Sequence, residues 1–441
     1  MEARRVHDPV SGLGGRGETV KRSLFWLAYL LLPTNSAWAL PRFAARNAME
    51  CIQCHINPSG GGMRNDYGAA VFEKTWLPLA SNPEDWISIG DPAAEDDAED
   101  ADLDPPFSSA FSGRITEWLA LGGDIRTAYI YVRPDDPPAE GEDRNVTSSF
   151  FLMQADLYHA AQLSSYVTVV LDVGVYSGFE VWGLFSFFQR PGLLDLKLKV
   201  GRFVPPFGIR EVEHQLFTRE GVGLGATDRD TGLELSLYLG PWTTQVALVN
   251  GTLGETAFDS TGSDRRTFEK GVAVRSAVRL ELSKLRLQLG GSFYFNENAN
   301  QTNPVFTGVL PLAQSALVSE GLDEIRGGVF LTANLGRFTY LGDLVAVRDG
   351  FYAEGLGRLR GHALYQELSF VPLQGLELVA THEFMDPDYD LGNNAVHRVG
   401  AVVELFPLPF TEVRLMGRRQ WSLRPEVSAV NDLVLFLHLF L

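Results

Sequence analysis

"GVAVRSAVRLELSKLRLQLGGSFYF", residues 271–295, changes face at almost every step. Val272, Val274, Val278, Leu280 and Leu282 share one side; Arg275, Arg279 and Glu281 share the other. After Ser283-Lys284 the alternation restarts, with Leu285, Leu287, Leu289, Phe293 and Phe295 opposite Arg286, Gln288, Ser292 and Tyr294. A period of two marks strands with one apolar and one polar face. The same pattern runs through "TEVRLMGRRQW" (411–421), and the chain closes on "LVLFLHLFL" (433–441).

Working outward, about sixteen such segments fall between 118 and 441, the weakest being 180–189. A water-soluble sandwich would alternate too. Many segments, however, run ten residues or more, which suits a tilted crossing of a bilayer. Their connections alternate between tight and long. Tight ones lie near 163–165, 190–193, 240–241, 283–284, 336–337, 374–375 and 407–409. Long polar ones lie near 133–147, 204–230, 252–268, 297–321, 350–357, 387–394 and 423–429. That asymmetry, with an even strand number, predicts an all-β fold: a 16-stranded antiparallel transmembrane β-barrel over 112–441, with short turns on the periplasmic side. Its inward face is expected to carry Lys197, Lys199, Arg275, Arg279, Arg286, Arg398, Arg414 and Arg418 opposite Glu281, Glu404 and Glu412, as a hydrated channel wall or as a basic wall around a plug.

Composition agrees. The 441 residues carry a net charge of −18, which argues against nucleic acid as a partner. Mean hydropathy of −0.02 excludes a helical membrane bundle. It does not exclude a barrel, whose two faces average out. At the N-terminus, Lys21 and Arg22 precede the apolar run "SLFWLAYLLL" and the small-x-small site Ala37-Trp38-Ala39. This reads as a Sec signal peptide over 1–39, cleaved after Ala39. Residues 1–20 are long for its polar start, so the true start is expected near Val20. Residues 81–111 are rich in Asp, Glu, Pro and Ala and read as an acidic linker.

Both cysteines stand in "MECIQCHINPSGGGMRNDYG", 49–68. A Cys51–Cys54 disulfide would close a tiny loop and stabilise little. A zinc site lacks a second Cys/His pair nearby. Cys-x-x-Cys-His fits a covalent haem c: Cys51 and Cys54 as thioether anchors, His55 as the proximal iron ligand. Candidate distal ligands are Met63, Met49, His159, His214, His382 and His397, or none. Residues 40–80 are too few and too poor in apolar groups to stand alone, so this monohaem segment is expected to pack on something else. A second candidate group, Glu211, Glu213, His214 and Glu220, lies in the long connection after 203. It suits either a cation at the mouth or plain surface.

Two resemblances rest on particular residues. "VGRFVPPFGIREVEHQLF" (200–217) and "RDTGLELSLYLGPWTTQVALVNG" (229–251) resemble the phosphate-selective porin group, through Gly201, Phe203, Pro206, Phe207, Gly208, Asn250 and Gly251. That implies a sixteen-stranded barrel with a constriction loop after 203. "LPRFAARNAMECIQCH" (40–55) resembles the fused cytochrome–porins of outer-membrane iron oxidases, through Pro41, Phe43, Ala44, Ala45, Cys51, Cys54 and His55. The next stretch, "INPSGGGMRNDYG", departs from that group's pattern. The second resemblance implies an outer-membrane conduit that passes electrons from an extracellular donor such as Fe(II) to periplasmic c-type cytochromes; the residues themselves fix no direction, and it is the resemblance that favours oxidation of extracellular Fe(II). Whether the chain is itself an oxidase stays open. The alternatives are an anion-preferring diffusion porin with a haem-bearing structural or sensing plug, and a docking cytochrome hanging in the periplasm from the linker.

Overall fold

The computed structural model describes residues 41–69, 77–79, 113–135, 146–174, 178–190, 192–210, 215–225, 228–251, 270–298, 322–351, 358–424 and 427–441. The stretches read as signal peptide (1–39) and acidic linker (81–111), and Glu211, Glu213 and His214, lie outside them.

Sixteen strands form one closed antiparallel barrel: β1 Leu119–Pro134, β2 Thr147–Ser164, β3 Val167–Gly174, β4 Gly178–Arg190, β5 Leu194–Phe203, β6 Asp230–Leu239, β7 Trp242–Val249, β8 Gly271–Leu282, β9 Leu285–Asn298, β10 Leu322–Leu335, β11 Phe338–Phe351, β12 Arg358–Leu373, β13 Leu376–Asp386, β14 Val396–Leu408, β15 Thr411–Ser422 and β16 Val430–Phe440. Each strand pairs with its neighbours in sequence, and β1 closes on β16 from Asp124↔Phe440 to Pro134↔Val430. Closure leaves no unpaired edge, so backbone polar groups are satisfied without water. The weakest segment is β4, in register with β3 from Val167↔Phe185.

The alternation sorts as expected. On β16, Leu433, Leu435, Leu437 and Leu439 point outward and are 44–49% exposed, while Val434, Phe436, His438 and Phe440 are buried inside. An apolar band of this kind around a closed cylinder suits lipid rather than water. The inner wall is where the sequence reading needs correction. The expected basic residues do point inward, but so do Asp124, Asp156, Asp172, Glu180, Glu234, Glu324, Asp343, Asp349, Glu367, Glu377 and Glu383, all buried. The wall is an ion-paired mosaic of both signs, not a basic surface. Lys199 meets Glu234 at 2.6 Å and Arg398 meets Glu383 at 2.7 Å.

Among the described residues, two segments enter the lumen. One is the N-terminal stretch, beginning with the helix α1, Pro41–Asn47. The other is the connection between β5 and β6, which folds inward. Gly208 N donates to Ser292 Oγ (2.8 Å, β9), Ile209 N to Asp343 Oδ2 (3.3 Å, β11) and Phe217 N to Glu383 Oε2 (2.9 Å, β13). Arg326 of β10 donates to Val222 O at 2.6 Å. The inward loop thus crosses to the far wall and buries Phe203, Phe207, Val222 and Leu224.

Candidate cofactor site

Helix α1 has seven residues, too few to hold alone in water. Proline at its first position costs no hydrogen bond. Its stability comes from docking. Arg42 and Arg46, four apart, share a face. Arg42 reaches Glu404 at 2.6 Å, Glu367 at 3.3 Å and Glu377 at 3.4 Å, and Arg46 reaches Glu377 at 2.7 Å. Phe43 sits edge-on to Phe406 with ring centroids 6.1 Å apart. Arg286 donates to Arg46 O, and Arg279 donates to Ala48 O at 2.5 Å. Arg279 also pairs with Glu50 at 3.1 Å, and Thr243 donates to Glu50 at 2.6 Å. These wall residues flank the short turns at 240–241 and 283–284, so the segment plugs the short-turn half of the barrel.

From Cys51 the chain makes one tight turn. Cys54 N and His55 N both donate to Cys51 O, at 3.2 and 2.9 Å. Glu50 N is capped by the Gln53 side chain at 2.9 Å. Asn65 donates to Ile52 O (3.1 Å) and Gln53 O (2.9 Å), tying the turn to the end of the adjoining hairpin. That hairpin spans residues 55–64, with His55 bridged to Arg64 and Ile56 N donating to Met63 O at 3.1 Å. Gly60, Gly61 and Gly62 close it at φ +85°, +74° and +64°. A run of left-handed residues is open only to glycine at small cost. Lys199 donates to Asn57 Oδ1 and Ser59 Oγ, both at 2.9 Å, and Tyr238 donates to Pro58 O at 2.9 Å.

His55 Nδ1 lies 3.3 Å from Gly62 O. A carbonyl can only accept, so Nδ1 carries the proton and Nε2 keeps its lone pair. Burial, then the Arg64 and Arg210 guanidiniums, push the imidazole down to about 3, so it is neutral at any ordinary pH. A neutral ring with Nδ1 anchored to a carbonyl is the form that ligates a metal through Nε2. Burial pushes the Cys51 thiol up, and the nearby Arg275 offsets part of that. Neither cysteine is in a disulfide.

His55, Ile52 and Ile56 face a cavity of about 280 Å³ against the β1–β5 wall, where Ala160, Leu184 and Lys197 lie. Its rim includes Trp118, Ser165 and Gln189, beside the short turns. Trp118 is 55% exposed, so the cavity meets the short-turn end. The lining of the hollow is mostly polar, Arg64, Asp66, Arg114 and Lys197 included, and neither Cys51 nor Cys54 is part of it. It is the donor set, two thiols and a metal-ready imidazole on one turn, that fits a covalently held haem.

The other sequence candidates fall elsewhere. Met63 is buried against Gly122 of β1, where an added Cβ would come within 3.0 Å of its sulfur. It is not among the residues lining the His55 cavity. His382 and His397 stack on each other at 6.1 Å, and His397 on Trp421 at 5.2 Å, in outward-facing register. His159 is likewise outward, between inward Tyr158 and Ala160. Glu220 is in the inward loop; no group of three or more potential metal ligands occurs among the described residues. Sequence reasoning missed the role of Arg42 and Arg46, whose partners are more than 300 positions away.

No protein-family model and no curated protein sequence matches the chain. Solved structures do. The anion-selective porin from Comamonas acidovorans superposes with a TM-score of 0.51 at 11% identity, covering 73% of this chain and 99% of that one. OprB of Pseudomonas putida (0.49, 10% identity, 74% and 94%) and the outer membrane channel DcaP of Acinetobacter baumannii (0.48, 11% identity, 73% and 97%) superpose less well. The likeness covers about the length of the barrel, and the fold of this chain is that of the sixteen-stranded outer-membrane porins.

Proposed function

We propose that this chain is an outer-membrane cytochrome–porin that carries electrons across the outer membrane through one covalent haem c. Residues 1–39 direct export, 40–80 hold the haem, 81–111 link it, and 112–441 form the barrel in lipid. Cys51 and Cys54 anchor the haem and His55 holds its iron. The haem supplies a one-electron ferrous/ferric couple. The chain's own residues do the rest: Gly62 O orients His55, α1 fixes the segment through Arg42 and Arg46, and the barrel wall separates the segment from lipid. Electrons pass from an extracellular donor, Fe(II) or similar, to a periplasmic c-type cytochrome. The observation that carries this reading is the Cys51–His55 turn itself. The residues on either side of it bond to inward side chains of the wall, Glu50 to Thr243, Asn57 and Ser59 to Lys199, and Pro58 to Tyr238, which supports a haem held within the barrel. A charge needs an insulated route to cross a membrane.

A second reading is a diffusion porin preferring anions, with the haem segment as a structural plug. The fold likeness to an anion-selective porin favours it. Full-length protein in liposomes separates the two. Fast haem oxidation or reduction by an impermeant external reagent, with no ion conductance, supports the conduit. Steady anion conductance with a haem that outside reagents cannot reach overturns it.

A further inference from the structure

Three guanidiniums, Arg64, Arg210 and Arg275, act on the Cys51–His55 turn, together with the carboxylates Glu50 and Asp124. Arg64 is bridged to His55 across the small hairpin and lines the same cavity. Its carboxylate partner, Asp124 at 3.5 Å, is shared: Tyr158 donates to Asp124 at 2.5 Å and His438 Nε2 lies 3.0 Å from it. Arg210 comes from the inward loop and lies over Gly61, where an added Cβ would sit 2.9 Å from its guanidinium carbon. The next residue, Gly62, is the one whose carbonyl orients His55. Nη1 of Arg210 is buried without a hydrogen-bond partner. Glu180 is 3.9 Å from Arg210 but closer, 3.3 Å, to Arg229. On the Cys51 side, Arg275 donates to Gly208 O at 2.8 Å, a neutral partner.

We propose that Arg210 and Arg64 set the redox potential of the group held by Cys51, Cys54 and His55, raising it by penalising the oxidised form. The inference rests on the reading that this turn holds a covalent haem. Ferric haem carries one more positive charge than ferrous haem, so a fixed guanidinium close by disfavours oxidation. At an effective dielectric of about 20, a unit charge roughly 10 Å away shifts the ferrous/ferric ratio about tenfold, or about 59 mV for one electron. Salt screens such buried charges little. A raised potential suits a chain that must draw electrons from a weakly reducing donor. The inward loop, in this light, does more than narrow the lumen: it delivers a charge to the cofactor turn.

The test is a spectroscopic redox titration of the full-length holoprotein in detergent, after denatured chain has been stained for covalent haem. Arg210→Gln and Arg64→Gln should each lower the midpoint potential, with about a tenfold change in ferrous/ferric ratio at fixed potential, while the absorption spectrum stays the same. Arg210→Lys keeps the charge and should stay near wild type. Arg360→Gln, at the far rim, should change nothing. If Arg210→Gln does not fold, Arg64→Gln carries the test. Potentials equal to wild type in the glutamine variants overturn the inference, as does Arg210→Lys falling as far as Arg210→Gln, which would mean packing rather than charge. Wild-type chain with no covalent haem overturns the functional reading itself, and this inference with it.

Discussion

Arg42→Ala should unlatch the plug. The guanidinium lies 2.6 Å from Glu404, 3.3 Å from Glu367 and 3.4 Å from Glu377, and none of these side chains is more than 6% exposed. Removing one member of a buried ion cluster strands the others and costs about 3–5 kcal/mol. At this burial no discount for solvent screening applies. With about 1.4 kcal/mol per decade, the opening equilibrium of the segment should rise roughly a hundredfold to a few thousandfold. Cys54 reads this directly. It is 2% exposed, packed among Phe43, Met49, Leu77, Phe406 and Phe440. In haem-free chain refolded in detergent, its rate of reaction with a thiol reagent is the opening equilibrium multiplied by the intrinsic rate, provided closing is fast. The Arg42→Ala rate should rise by the factor above. Arg360→Ala, whose partner Asp390 is an exposed rim residue, should leave it unchanged. A Cys54 rate in Arg42→Ala equal to wild type would refute the claim that α1 is the latch.

Three further outcomes are expected. Deleting 41–79 from the exported chain should raise single-channel conductance in planar bilayers; conductance equal to wild type would mean the segment does not block the lumen. Met63→Leu should leave the haem spectrum unchanged, because the sulfur packs on Gly122 and Met63 is not among the residues that line the His55 cavity; a spectral shift would make Met63 an iron ligand. Burial holds the Asp228 carboxyl above its ordinary range, with Gly225 N–H, Arg219 and Arg229 pulling back part of the shift. A folded pKa raised in this way means the docked loop binds the proton more tightly than the released loop does. Docking is therefore strongest below the ordinary aspartate value of about 3.9 and weakens as pH rises through the folded value. Hydrogen exchange of 215–225, corrected for intrinsic rates, should show more protection near about pH 4 than near about pH 7. Asp228→Asn should reduce the difference, Glu220, whose carboxyl burial also raises, carrying part of the rest; equal or reversed protection in wild type contradicts the assignment.

The barrel was legible because its signal is local. Alternation in 271–295 is visible residue by residue, and the tight turns at 240–241, 283–284, 336–337 and 374–375 all join the strands they were expected to join. The inward bend of the loop after Phe203 was expected from its resemblance to a constriction loop, and the structure bends it inward. What the sequence did not disclose is non-local. Arg42 and Glu367 are 325 positions apart, and Lys199 and Asn57 are 142 apart. No periodicity within either segment announces such a partner. The inward carboxylates were within reach. Glu367, Glu377 and Glu383 obey the same parity as their inward neighbours, and extending the alternation through β12 and β13 would have found them. The position of the Cys51–His55 turn in the lumen, and not hanging below the barrel, depends on these pairings, so only the structure could decide it.

The most direct measurement is the mass and visible absorption of the chain purified from a host able to attach haem c, then denatured. One haem should remain with the polypeptide, and both Cys51 and Cys54 should be unreactive toward thiol reagents. A polypeptide of apoprotein mass, with two reactive thiols and no haem absorption, would contradict it.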